Sequence, residues 1–170
     1  MSFSLSSLAL LIFPVLMAFA AISDLLTMRI SNRLVYTVLL GFAVVAIVAQ
    51  LPLETIGMHL ACAAAALAVT FSFFAFGWIG GGDAKLVAAT ALWLGFSMML
   101  QYIVFASLLG GALTLIILGF RRWPLSPRLR NVVWLDRLHD EKTGVPYGIA
   151  LAAAALLIYP DTLVFQQLIG

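Results

Sequence analysis

Two carboxylates, Asp24 and Asp83, stand out in a chain that carries little other charge. Of its seven acidic residues, Glu54, Asp136, Asp140, Glu141 and Asp161 fall between or beyond the apolar runs, where ordinary solvation accounts for them. Asp24 and Asp83 each sit at the edge of an apolar run, where a carboxylate must face water, a partner or a cavity to avoid a cost of about 2–4 kcal/mol. Two carboxyls with no other reactive group suit acid–base hydrolysis of a peptide. When they approach closely both cannot ionise, so they share a proton: the ionised member draws a proton from water while the protonated member polarises the scissile carbonyl. Such a pair titrates as a unit.

Each aspartate also has a plainer role available. Asp24 lies at the C-terminal end of a helical run, where the macrodipole disfavours negative charge, and Arg29 or Arg33 could neutralise it. Asp83 opens a helix, and Asp is a preferred N-cap. The three glycines before it, Gly80, Gly81 and Gly82, shift the balance, because they loosen the backbone and let another chain approach closely. Rival chemistries find less support. His59 and His139 have no partner at a useful spacing and are expected at the surface, so a serine mechanism is not indicated. Cys62 is the only cysteine and can form neither an internal disulfide nor a multi-cysteine zinc site. No metal, cofactor or nucleic-acid partner is expected.

The elements that must hold the two acids are transmembrane helices. Of 170 residues, 64% are hydrophobic and 9% charged, against about half and about a quarter in a soluble domain. Such a surface has to face hydrocarbon. No Lys or Arg precedes Leu8 and no small-residue cleavage site follows the first run, so a retained span is expected there in place of a cleaved signal peptide. The run from Leu86 to Phe120 would make a helix of roughly 50 Å at 1.5 Å per residue, too long for one crossing, and Gly95-Phe96-Ser97 offers a turn.

An all-α fold of six transmembrane helices in one domain follows, at about 6–22, 34–51, 56–79, 83–94, 98–120 and 145–163, with both termini external. All nine basic residues then lie on the inner side, in the segments 24–33, 80–85 and 121–144, as the positive-inside rule asks; five helices would move six of them to the far side. Residues 128–139 read either as an amphipathic interfacial helix anchored by Trp123 and Trp134 or as a solvated basic loop.

The sequence Gly80-Gly81-Gly82-Asp83-Ala84-Lys85 resembles the Gly-x-Gly-Asp motif of the bacterial type IV prepilin peptidases, a family of intramembrane aspartic proteases. Asp24 followed by Arg29-Ile30-Ser31-Asn32 matches that family's first aspartate and basic stretch, where many members have Ile-Pro-Asn. Val145-Pro146-Tyr147-Gly148 is similar to its Pro-aromatic-Gly segment. The resemblance implies catalysis by Asp24 and Asp83, supported by Gly80, Gly81, Gly82, Lys85, Asn32, Pro146, Tyr147 and Gly148.

The larger members' cysteine-rich methyltransferase segment has no counterpart here, so the resemblance points to the short leader peptidases of Flp (Tad) pilus systems. These act at the cytoplasmic face of the inner membrane, beside pilus or secretion machinery, on prepilins whose basic leader ends in a glycine. Arg29, Arg33 and Lys85 would repel such a leader and are read as orienting groups that meet anionic lipid. The alternatives are an archaeal-type preflagellin peptidase, a small ion-coupled transporter, and a structural secretion-system subunit.

Overall fold

A computed structural model describes residues 5–126, 129 and 131–169, and these form helices joined by short turns, with no strand among them. The helices are α1 (Leu5–Thr27), α2 (Asn32–Val48), α3 (Leu53–Ala75), α4 (Gly81–Arg121), α5 (Val133–His139), α6 (Tyr147–Ile158) and α7 (Leu163–Ile169). A 3₁₀ turn, Tyr159–Asp161, joins the last two.

The faces of α1 show which solvent the fold is made for. Ala9, Phe13, Met17, Ala20 and Asp24 are buried, a stripe at helical spacing, while Leu8, Leu11, Val15, Phe19 and Ile22 on the other side are more than half exposed. Large apolar residues outside and one carboxylate inside reverse the pattern of a soluble helix. Phe13 meets the Trp93 and Tyr159 rings, each with centroids 4.8 Å away, and the Trp93 indole donates to the Val38 carbonyl at 3.1 Å. This aromatic knot ties α1, α2, α4 and the turn after α6.

Among the described residues three helices, α1, α3 and α4, are long and apolar enough to cross a membrane. The segment from α6 to α7, bent by 48°, adds a fourth if it is counted as one span. Six were expected. The difference lies in α2, which has 17 residues, and in α4, which is hydrogen-bonded as one element of 41 residues yet breaks at Gly95 (φ 66°, ψ 175°). The last run, expected as one helix over 145–163, is divided at Tyr159–Asp161. The Thr162 hydroxyl there accepts the Phe165 N–H at 3.2 Å and restarts the helix.

The break in α4 corrects the expectation for His59, which is 3% exposed. Its Nδ1–H donates to the Leu92 carbonyl at 2.7 Å, an acceptor of the last turn before the break, and its ring stacks on Phe42 with centroids 5.5 Å apart. A helix end inside apolar surroundings needs a donor for its orphan carbonyls, and the imidazole N–H supplies one. His139 is half-buried and bonds the Trp123 carbonyl at 2.9 Å. Of the segment 128–139, α5 accounts for Val133–His139; Arg128 and Arg130 lie outside the described residues.

Three helix ends deliver chain to one end of the molecule. α1 stops at Met28, in the left-handed region (φ 54°), whose N–H returns to the Asp24 carbonyl at 2.7 Å. α3 stops at Gly77 (φ 74°), with Gly77 N–H to Phe74 O and Trp78 N–H to Phe73 O, both 2.9 Å. That is the paired bonding of a glycine-terminated helix. Ser31 then caps α2 by accepting the Leu34 N–H at 3.2 Å.

Candidate active site

A cavity of about 1090 Å³ opens where these ends meet, lined by Asp24 and Asp83 together with the 28–32 turn, the 77–82 turn, and Gly144, Val145 and Tyr147. Both acids line this one cavity. They come from opposite ends of their helices: Asp24 from the last turn of α1, Asp83 from the first turn of α4.

Asp24 is 4% exposed and accepts the Gly148 N–H on Oδ2 at 2.7 Å. Gly148 is in the first turn of α6, behind a buried Pro146, so the carboxylate supplies one of the bonds that a helix start leaves unmade. No ion pair with Arg29 or Arg33 accompanies it among the described residues. Gly148 is glycine for lack of space: a Cβ there would lie 2.7 Å from Oδ2 and 2.9 Å from Cγ of Asp24.

Asp83 is half-buried and is not the N-cap of α4; Gly80 is, with no side-chain cap. Asp83 stands three residues in, and its carboxyl leans back over Gly80, where a Cβ would lie 3.0 Å from Oδ2. This is the reach-back half of a capping box. None of the three glycines has a positive φ, and each is small because something sits against it. A Cβ on Gly81 would meet the Phe74 ring at 3.1 Å, and one on Gly82 would meet Ile30 at 3.2 Å (Cβ) and 3.4 Å (backbone N). The close approach they permit is internal: the turn after α1 rests on the start of α4, which brings the two acids to one cavity.

The other expected residues are placed around this centre. Asn32, Gly80, Gly81, Gly82 and Tyr147 line the cavity. Lys85 stands outside it and donates to Asn32 Oδ1 at 2.9 Å, tying the first turns of α4 and α2. Tyr147 hydrogen-bonds through its hydroxyl to Thr114 Oγ1 at 3.0 Å, and its ring lies over Gly110. The described basic side chains collect at this same end. Arg29 lines the cavity, Arg137 donates to the Leu26 carbonyl at 3.0 Å, and Arg121 donates to carbonyls of the segment that leads into α6. No group of three or more His, Cys, Asp or Glu side chains suited to a metal occurs among the described residues.

A glycine-fronted aspartate and a second aspartate in one cavity at the end of apolar helices agree with one family model, that of the type IV leader peptidases, which matches residues 11–115. The chain belongs to the type IV leader peptidase family. The matched stretch covers well over half the chain and includes Asp24, Asn32, Gly80, Gly81, Gly82, Asp83 and Lys85, while Pro146, Tyr147 and Gly148 lie beyond it. No curated protein and no solved structure matches the chain. As a leader peptidase it is a membrane protease, and several of its helices suit a bilayer.

Sequence reasoning missed Arg121, Thr143 and Gly144, which shape the approach to α6, and Met28 and Ile30 in the turn after α1. Their contacts run largely to backbone, which has no side-chain signature. The one signal available was the positive φ demanded after Thr27, and Met28 does not advertise it as glycine would.

Proposed function

We propose that this leader peptidase is an intramembrane aspartic endopeptidase in which Asp24 and Asp83 activate water and remove the basic leader of Flp-type prepilins. The reading is supported above all by the two acids, from helices far apart in the chain, lining one open cavity. In the proposed step the ionised carboxylate takes a proton from water as its oxygen attacks the scissile carbonyl. The protonated partner gives its proton to the carbonyl oxygen. Collapse of the tetrahedral intermediate breaks the C–N bond, and the leaving nitrogen takes a proton from the pair. Asp24 Oδ2 already accepts from Gly148, which leaves Oδ1 for this exchange.

The topology proposed with it has six crossings: α1, α2, α3, the two limbs of α4, and α6 with α7. Both termini are external and the cavity faces the cytoplasm of a bacterial inner membrane. The described basic side chains around the cavity support that orientation. Prepilin, anionic lipid and the pilus or secretion machinery are the proposed partners.

A structural role for Asp24 has its own support in the Gly148 bond, and one substitution separates the two. Asp24→Asn keeps an acceptor for that N–H and removes the shared proton. Both Asp24→Asn and Asp83→Asn are expected to insert normally and to leave a co-expressed Flp-type prepilin uncleaved. Normal processing by either variant would remove that aspartate from the mechanism, and by both would end the aspartic assignment. Cleavage of a preflagellin but not of the prepilin would instead select the archaeal-type substrate.

A further inference from the structure

Arg121 was read from the sequence as one of the charges that orient the helices. Its guanidinium does more specific work. Nε donates to the Leu138 carbonyl at 2.9 Å, and Nη2 donates to the carbonyls of Thr143 at 3.1 Å and Gly144 at 3.0 Å, with the Thr143 hydroxyl 3.4 Å away. One side chain at the end of α4 thus gathers three carbonyls from the segment that ends at α6. Thr143 tightens it further, donating to the carbonyls of Arg137 and of Asp140.

That segment positions an active-site carboxylate. Gly144 and Val145 line the cavity, and four residues after Gly144 the N–H of Gly148 holds Asp24 Oδ2. The path between is stiff: Pro146 is buried, Tyr147 N–H bonds the Val145 carbonyl at 2.8 Å, and the Tyr147 hydroxyl meets Thr114. Thr114 and Arg121 are two turns apart on one face of α4, so the same helix face grips the start of α6 at two points. The segment's other edge is fastened to α1 by Arg137 on the Leu26 carbonyl.

We infer that Arg121 is a positioning residue for catalysis: by clamping residues 138–144 it sets where Gly148 holds Asp24. The inference rests on the aspartic reading above and adds a residue beyond the family-matched stretch. A planar fork can reach several carbonyls at once; the ammonium of Lys is a point charge and cannot hold the same set. A reacting group displaced by about 1 Å loses up to about 100-fold in rate.

The test uses the full chain in proteoliposomes and a synthetic precursor with a basic leader, a junction glycine and an apolar segment of about twenty residues. Arg121→Lys is expected to lower kcat by on the order of 10- to 100-fold with KM within about twofold. Arg122→Gln, which removes a charge next door, should leave both unchanged. Equal losses in the two variants would mean that charge alone matters and would overturn the inference. So would full kcat in Arg121→Lys, or a rise in KM alone.

If Arg121→Lys fails to insert, Thr143→Val decides. Loss of kcat severalfold there, restored by Thr143→Ser, supports the clamp, and unchanged kcat refutes it. Asp24→Asn and Asp83→Asn run alongside. If they are dead and Arg121→Lys is normal, only this inference falls; if they cleave normally, the aspartic reading falls and takes this with it.

Discussion

Gly148→Ala tests the tightest contact in the site. The added methyl would lie 2.7 Å from Asp24 Oδ2, 2.9 Å from Cγ and 3.0 Å from Cβ, so turning the carboxyl cannot free it. Ordinary contact requires a retreat of roughly 0.7 Å at the oxygen, since the tightest common Cβ contacts are near 3.4 Å. The same retreat would stretch the 2.7 Å hydrogen bond toward about 3.4 Å, beyond the usual N–H···O range, and weaken it.

Either the contact stays strained or the bond to Asp24 is weakened, at up to about 1–3 kcal/mol by either route. Alanine's better helix propensity returns about 0.5–1 kcal/mol, which leaves a net loss of at most about 2 kcal/mol. Activity should suffer more than stability, because Asp24 moves by a sizeable fraction of the distance that costs about 100-fold.

The assay is precursor cleavage by the full chain in proteoliposomes, with thermal unfolding in detergent alongside. Gly111→Ala and Gly119→Ala serve as controls, since a methyl at either position meets nothing within 4 Å. Wild-type turnover and stability in Gly148→Ala, or equal harm from Gly111→Ala, would refute the reasoning.

Two further predictions concern crowding and the broken helix. Gly82→Ala, which presses on the backbone of Ile30, should cut turnover at least about tenfold, while Gly81→Ala meets only the edge of the half-exposed Phe74 ring and should cost less than about 1 kcal/mol and little activity; the same cleavage and unfolding assays rank them, and the reverse order would contradict the account. At the far end, His59→Ala strands the Leu92 carbonyl in apolar surroundings and should destabilise by about 2–4 kcal/mol, and Gly95→Ala by about 1–3 kcal/mol, because its φ and ψ lie in a region that is essentially glycine-only. Unfolding midpoints near wild type for both would remove His59 as the donor that closes the break.

Much of the fold was legible because a bilayer imposes a simple code. Apolar runs become helices, since lipid offers no other partner for the backbone, and the excess length from Leu86 to Phe120 called for an interruption near Gly95. The motif around Asp83 carried the family, because glycines beside an acid are rare enough to be informative together with Asp24.

What could not be read was anything whose partner is backbone. His59 looked like a stray surface imidazole because its acceptor is a carbonyl freed by the break. Asp83 looked like a cap, but Gly80 takes that place and the acid leans back over it. Gly80, Gly81 and Gly82 read as room for another chain, and the sequence does not show that each also has a different neighbour of its own where a Cβ would go. Six crossings followed from hydropathy and charge, whereas helix length alone supports three or four, because α2 is short and the two limbs of α4 are bonded as one.

Four of the six buried residues of α6 are alanines, Ala150, Ala152, Ala154 and Ala155, with Gly148 at one end and Ile158 at the other. A methyl-coated rod lets neighbouring helices come close, yet offers few knobs to stop it sliding lengthwise between them. Its axial register must therefore be pinned at the tips, by the polar fastening around Gly148 at one end and the Tyr159–Thr162 corner at the other. The last helix is located by its ends, and one of the two pins is the carboxylate of Asp24.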